Sequence, residues 1–166
     1  MTEEIPIGEE EIPSGEEEIP SGEEESTTII QSLQTYIATC PLLSETELAP
    51  LVNWVDPTPN SYGIFPIPGD KQIYSYPAKG GMYEFPFALQ VNASNADDLA
   101  RLQTQGFFEQ FGKWLDAQNE AENYPVLSSG ETAYEIEALG QGYLLDQGDS
   151  DVSTYEVPCR LTYERI

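Results

Sequence analysis

Glu135 and Glu137 stand two residues apart in T-A-Y-E-I-E-A, so on a strand their carboxylates share one face. Two close carboxylates are the least equipment that general acid–base chemistry needs, if the surroundings hold one of them protonated. The sequence places no further carboxylate opposite them, and a solvated acidic strand face accounts for the same residues. Asp146, Asp149 and Asp151, in D-Q-G-D-S-D, gather acidic groups as a calcium loop would. Such a loop needs ligands at alternate positions, a central glycine and a bidentate glutamate at its end, and that spacing is absent. A solvated hairpin tip fits the stretch better. Gly140-Gln141-Gly142 lacks the Lys-Ser/Thr pair and the following helix of a phosphate loop. Cys40 and Cys159 fall outside any C-x-x-C spacing and read as small buried apolar residues, ahead of a disulfide or a reactive thiol. The chain has no histidine, which removes the usual base behind serine and cysteine nucleophiles and the commonest metal ligand. Trp54 and Trp114 read as core aromatics. No catalytic constellation, cofactor site or metal site is expected.

Charge narrows the partners. Thirty acidic residues against six basic ones give a net charge of -24. Gripping DNA requires Lys and Arg to neutralise phosphates, so this chain is not expected to bind it, although it could line a passage through which DNA must slide. The 166 residues suit one domain with an ordinary core. No apolar run approaches the roughly 18 residues of a membrane span. The N-terminus is acidic and carries neither a basic segment nor an apolar one, so a cytosolic protein without a secretory signal is expected.

Residues 5–25 repeat I-P-I-G-E-E-E, I-P-S-G-E-E-E, I-P-S-G-E-E-E. A period of seven invites a coiled coil, but proline and glycine in every repeat forbid the helix. Ordering this backbone costs about 1–2 kcal/mol per residue, against about 2–3 kcal/mol returned by one buried isoleucine per repeat. Residues 1–25 are therefore expected to be a disordered acidic extension. They hold 11 acidic residues, leaving 19 acidic and six basic, net -13, in a single domain over 26–166.

The elements that must position the carboxylates follow from periodicity. A helix is predicted from Ser26 as N-cap to Thr39, with Ile29, Ile30, Leu33, Tyr36, Ile37 and Cys40 as its apolar stripe and Pro41 ending it. Leu51–Val55 reads as a short strand. Tyr62–Ile67 contains Pro66 and reads as an edge strand or an extended arm. Lys71–Tyr76 and Met82–Val91 form a hairpin through A-K-G-G, with Tyr83, Phe85, Phe87, Leu89 and Val91 on one face. Pro86 argues for an edge or bulge there. Ser94 or Asn95 caps a long helix reaching Glu122, in which Leu99 and Leu102 point away from the stripe of Phe107, Phe111, Trp114 and Leu115. Gly106 sits at the change, and a break or kink is predicted beside it. Glu131–Leu145 and Val152–Tyr163 make a final hairpin, with Tyr155, Val157, Cys159, Leu161 and Tyr163 on one side. Gly140 and Gly142 there mark a bulge or a close backbone approach. The predicted class is α+β: a small, mostly antiparallel sheet packed by an N-terminal helix and a long central helix.

Four stretches carry a resemblance: I-I-Q-S-L-Q-T-Y-I-A-T-C-P-L-L (Ile29–Leu43), G-F-F-E-Q-F-G-K-W-L-D-A-Q-N (Gly106–Asn119), Y-P-V-L-S-S-G-E-T-A-Y-E-I-E-A-L-G-Q-G-Y-L-L-D (Tyr124–Asp146) and Y-E-V-P-C-R-L-T-Y (Tyr155–Tyr163). In order and spacing they resemble a family of siphophage and prophage minor capsid proteins of the tail-terminator-like, head–tail joining kind. The resemblance spans nearly all of 26–163 and excludes the glutamate repeat. It implies a virion subunit at the head-proximal end of the tail tube, forming a hexameric ring, halting tube polymerisation and docking to a head-completion or connector protein. The implied partners are thus its own copies, the tail tube protein and the connector, with no sequence-specific nucleic acid and no membrane. Some relatives carry a chloramphenicol-resistance label, but chloramphenicol acetyltransferases depend on a histidine base that this chain lacks. In a ring, carboxylates of the Asp146–Asp151 tip (Asp146, Asp149, Asp151) or of the Glu135/Glu137 face would look into the lumen and repel passing phosphates. Subunits would join through an edge strand in the Tyr62–Tyr76 region, where Tyr62, Tyr74 and Tyr76 are the interface candidates. The alternative from another class is an acidic DNA mimic or inhibitor that binds a basic host partner.

Overall fold

Alternation of apolar and polar residues over fourteen positions demands a long partner with matching alternation, and two such strands form the spine here. The computed structural model describes residues 8, 27–43, 50–69, 71–148 and 150–166, the side chains of Asp98, Leu99 and Leu102 excepted. Apart from Gly8, the predicted acidic extension lies outside the described residues, as do Ser26 and Asp149; the side chains of Leu99 and Leu102, expected to point off the main stripe, are likewise not described. In chain order the elements are α1 (Ile29–Ile37), β1 (Leu51–Val52), β2 (Ser61–Pro66), β3 (Lys71–Ser75), β4 (Gly81–Ser94), α2 (Asp98–Glu120), β5 (Glu131–Ala138), β6 (Tyr143–Asp146) and β7 (Val152–Arg165). β4 and β7 pair antiparallel over their full lengths, from Gly81 opposite Arg165 to Ser94 opposite Val152. β2 and β3 flank β4 on its other side, and β5 and β6 flank β7, giving the order β1-β2-β4-β7-β5 with one parallel pair, β1 with β2. The fold is α+β, with a mostly antiparallel sheet of seven strands and two helices, as its periodicities require.

The predicted apolar faces become the core. Phe87, Leu89 and Val91 of β4 and Tyr155, Val157, Cys159, Leu161 and Tyr163 of β7 are buried together with Leu33 and Ile37 of α1 and Phe108, Phe111 and Leu115 of α2. Each such side chain contributes about 1.5–3 kcal/mol by leaving water. Both helices lie on this one face. Tyr36 of α1 meets Trp114 of α2 with ring centroids 5.5 Å apart and donates its hydroxyl hydrogen bond to the carbonyl of Asn123 at 2.9 Å. The β3–β4 hairpin forms as predicted; Gly80 supplies the turn with φ 83° and lies so close to the Arg165 carbonyl that a Cβ would stand 2.1 Å from it.

Several boundaries differ from the sequence expectation. α1 starts at Thr28, not Ser26, because Thr28 and Gln31 close a capping box: the Gln31 amide oxygen accepts from the Thr28 amide at 2.8 Å, and the Thr28 hydroxyl accepts from the Gln31 amide. The first strand stops at Val52, where Asn53 turns left-handed (φ 55°), and this carries Trp54 out to 59% exposure, so Trp54 is no core aromatic. β2 is neither an edge nor an arm, since β1 covers it at Gly63 and Ile64. Pro86 sits on a central strand without a bulge. Its carbonyl accepts from Ile67, so its missing N–H would point to the same side, into the gap between the end of β2 and the start of β3, where no ladder bond is lost. α2 is capped by Asp97, whose carboxylate accepts from Ala100 at 2.8 Å, because Ser94 still belongs to β4. It runs unbroken through Gly106. Phe107 packs on Tyr62 and Phe108 beside Tyr155, so residues next to the glycine are held against the sheet and offset its cost. The last hairpin has two partner strands in place of one: β5 and β6 are separated at Leu139–Gly142, and Gly142 lies against the Phe108 ring, where a Cβ would stand 2.2 Å from ring carbons. Close approach is what that glycine provides.

Candidate functional site

Because both helices cover one face of the sheet, the alternate residues of its long strands form a second, uncovered face. β4 contributes Glu84 and Gln90, β7 contributes Glu156, Arg160 and Glu164, and β5 contributes Glu135 and Glu137, with Tyr76 and Tyr143 reaching in from the margins. Ala88, between Phe65 and Pro158, is its buried apolar centre. The loop before β2 folds over one end, where the Asp56 carbonyl accepts from Ser61 (2.5 Å) and Asn92 (2.6 Å).

Polar groups on this face are joined in rows across the strands. Arg160 lies between Glu84 (3.0 Å) and Glu137, bonding both. Glu164 accepts from the hydroxyls of Tyr76 (2.5 Å) and Tyr134 (3.3 Å). Glu156 accepts from Gln90 (2.8 Å) and Tyr143 (2.6 Å), and Thr154 donates to Asn92 at 2.6 Å. Five carboxylates thus surround one guanidinium on β4, β5 and β7. Their partners set the acidities: the hydrogen bond to Glu164 pushes Tyr76 up to about 12, the charge of Glu164 raises Tyr134, and the bond to Glu156 raises Tyr143. Arg160 is held further toward its charged form by its bond to Glu137. Such phenols do not give up protons near neutrality.

The sequence candidates divide. Glu135 and Glu137 share the uncovered face, opposite Thr162 and Arg160, but Glu137 is ion-paired and a bulge at Tyr134 precedes them. Tyr74 and Tyr76 stand beside this end, their rings 5.7 Å apart, with Tyr74 60% exposed. Asp146 and Asp151 are exposed at the other end of the sheet, and Asp149 is outside the described residues. Tyr62 is separate from all of these: it faces the helices and packs on Phe107 at 5.6 Å. Glu84, Glu156, Arg160, Glu164, Tyr134 and Tyr143 were not singled out from the sequence. For Glu156, Arg160 and Glu164 the signal is the polar half of the alternation Y-E-V-P-C-R-L-T-Y-E, whose apolar half defines the core.

The remaining candidate groups lie elsewhere in the fold. Cys40 and Cys159 are free, buried thiols whose acidity is lowered by burial. Among the described residues, no group of three or more His, Cys, Asp or Glu is placed to hold a metal ion, and no helix is long and apolar enough to cross a membrane. Two open grooves flank α2, one of about 700 Å³ over Phe108, Gly112 and Lys113 and one of about 510 Å³ beside Tyr62, Thr104 and Phe107. The first of them also carries the charged side chains Glu109, Lys113 and Asp116. No protein-family model matches the sequence, and no curated protein matches it.

Proposed function

We propose that this chain is a structural subunit of a siphophage head–tail junction, closing the tail tube as a ring, with its uncovered sheet face turned toward the passing DNA. The observation that carries the reading is that face: five carboxylates around one arginine, four of them (Glu84, Glu137, Glu156 and Glu164) held in hydrogen-bonded rows. Such a surface repels phosphates within a Debye length of about 8 Å and offers the duplex no donor cluster to grip. The fold class agrees with the small α+β subunit that the sequence resemblance implies. The partners of this reading are further copies of the chain, the tail tube protein and a head-completion or connector protein, and the site of action is the virion. Function here is mechanical: the ring ends tube growth and provides a smooth, anionic collar.

Deleting the gene and imaging the induced lysate by electron microscopy tests this. Filled heads beside detached or overlong tails are expected. Normal infectious particles would refute the reading.

A further inference from the structure

The sheet has four outer strands: β1 is only two residues long, β5 is capped at one residue, and β3 and β6 are open. On β5 the outward amide and carbonyl of Ile136 are taken by the side chain of Asn119, which accepts at 3.0 Å and donates at 2.7 Å as a neighbouring strand would. β3 and β6 have no such cover: each pairs with a single strand among those described, and every residue of both is exposed. Ile73 and Tyr74 on β3 and Tyr143, Leu144 and Leu145 on β6 all stand in water. Charge distinguishes the two edges. β3 begins with Lys71 and its turn holds Lys79, whereas β6 ends with Asp146 and is followed by Asp151. Uncovered strands with exposed apolar side chains are templates for another strand.

We propose that copies of this chain join head to tail, β3 of one lying antiparallel against β6 of the next. The directions agree. β3 runs antiparallel to β4, β4 to β7 and β7 to β6, so two copies in the same orientation present β3 and β6 antiparallel. One register satisfies charge and face together, with Lys71 opposite Asp146 and Tyr74 opposite Tyr143. Within the chain these residues pair with Glu84, Thr154, Met82 and Glu156, all on the uncovered face. Each strand carries one irregularity between its two matched positions, at Gln72/Tyr74 and at Leu144/Asp146. A regular foreign strand would not follow that path, whereas the matched three-residue interval does. β3 and β6 lie on opposite sides of the sheet, so the contact is heterologous and propagates until it closes. Closure as a ring rests on the tail-capping reading; the pairing itself does not.

The test uses the full chain and light scattering across a concentration series, with thermal midpoints confirming that each variant folds. K71E and D146K, each at an exposed edge, are expected to raise the concentration needed for assembly by about tenfold per interface. A one-to-one mixture of the two single variants is expected to assemble like wild type, since alternating copies then set a carboxylate against a lysine at every interface. The K71E/D146K double variant, with the pair reversed, is expected to do the same. Independently of charge, Tyr74→Cys with Tyr143→Cys in one chain is expected to give an oxidised ladder of covalent multimers, the native thiols being buried. A monomeric wild type, assembly indifferent to K71E and D146K, or a mixture no better than its components would overturn the proposal. Charge-insensitive assembly alongside defective tails removes the edge pairing and keeps the tail reading. Charge-rescued assembly alongside normal tails does the reverse.

Discussion

Asn119 closes the sheet at the point where the sequence shows no strand to do so, and its removal is expected to be costly. Its amide bonds both backbone groups of Ile136, a residue with 0% exposure. In Asn119→Ala the N–H and C=O of Ile136 lose their partners in a place water does not reach. Each orphaned group costs about 1–3 kcal/mol, so the variant should lose about 2–6 kcal/mol of stability. For a domain of this size that lowers the melting temperature by roughly 6–18 °C. The control is Asn123→Ala, whose exposed amide reaches the Gln118 side chain at 2.5 Å and should cost no more than about 0.5 kcal/mol. Chemical denaturation of the three proteins measures the differences. Hydrogen exchange at the Ile136 amide supplies a local readout, since its protection in the wild type comes from Asn119. A loss below about 1 kcal/mol with that amide still protected would refute the argument, because it would mean that the Ile136 groups find other partners.

Gly142→Ala forces a Cβ to within 2.2 Å of the Phe108 ring, and should destabilise by about 1–3 kcal/mol in thermal or urea unfolding, with Gly140→Ala, where nothing lies within 4 Å, as the tolerated comparison. Tyr76 titrates near 12 in the folded protein against about 10 unfolded, so the stability it contributes is fully present below pH 10 and is lost as pH rises through 12. Glu164→Gln should therefore shift the phenolate absorbance titration of Tyr76 and Tyr134 toward lower pH, and an unmoved titration would contradict the hydrogen-bonded row. Arg160→Met leaves Glu84 and Glu137 facing each other across the sheet; a loss of about 1–2 kcal/mol is expected, with recovery in the Glu84→Gln/Glu137→Gln/Arg160→Met triple variant. Neither Cys40 nor Cys159 should react with a thiol reagent until denaturant is added, when both should.

Legibility in the sequence followed the range of the interactions. The Met82–Val91 and Tyr155–Tyr163 alternations are local and strong, and they became the facing halves of the spine. Helix α1 was found through its stripe, but its start was displaced because the Thr28–Gln31 box outcompetes an earlier serine. Failures came where tertiary placement decides. Pro86 reads as an edge residue only if the neighbouring strand continues past it, and the gap between β2 and β3 removes that condition. Trp54 reads as core by its type, yet one left-handed asparagine before it turns the chain outward. At the candidate site, the shared face of Glu135 and Glu137 was readable from their spacing. Their joining with Glu84 and Arg160 depends on which strands lie side by side, and no local pattern encodes that.

The uncovered face also constrains how copies can meet. A sheet with helices on one side usually exposes its other side as either a solvated surface or an apolar surface awaiting a layer. Here the carboxylates accept from tyrosine, glutamine and arginine within their own rows, and the apolar centre at Ala88 is already buried by its neighbours. Laying a second protein layer over this face would strip water from five carboxylates, at a cost that one arginine cannot offset. The proposed assembly therefore uses the edges of the sheet and not this face. Of these, β5 has its Ile136 groups taken by Asn119 and β1 is only two residues long, whereas β3 and β6 each pair with one strand among those described and carry exposed apolar side chains. Edge-to-edge contact leaves the anionic face free and turns it the same way in every copy, the geometry that a collar around a polyanion requires.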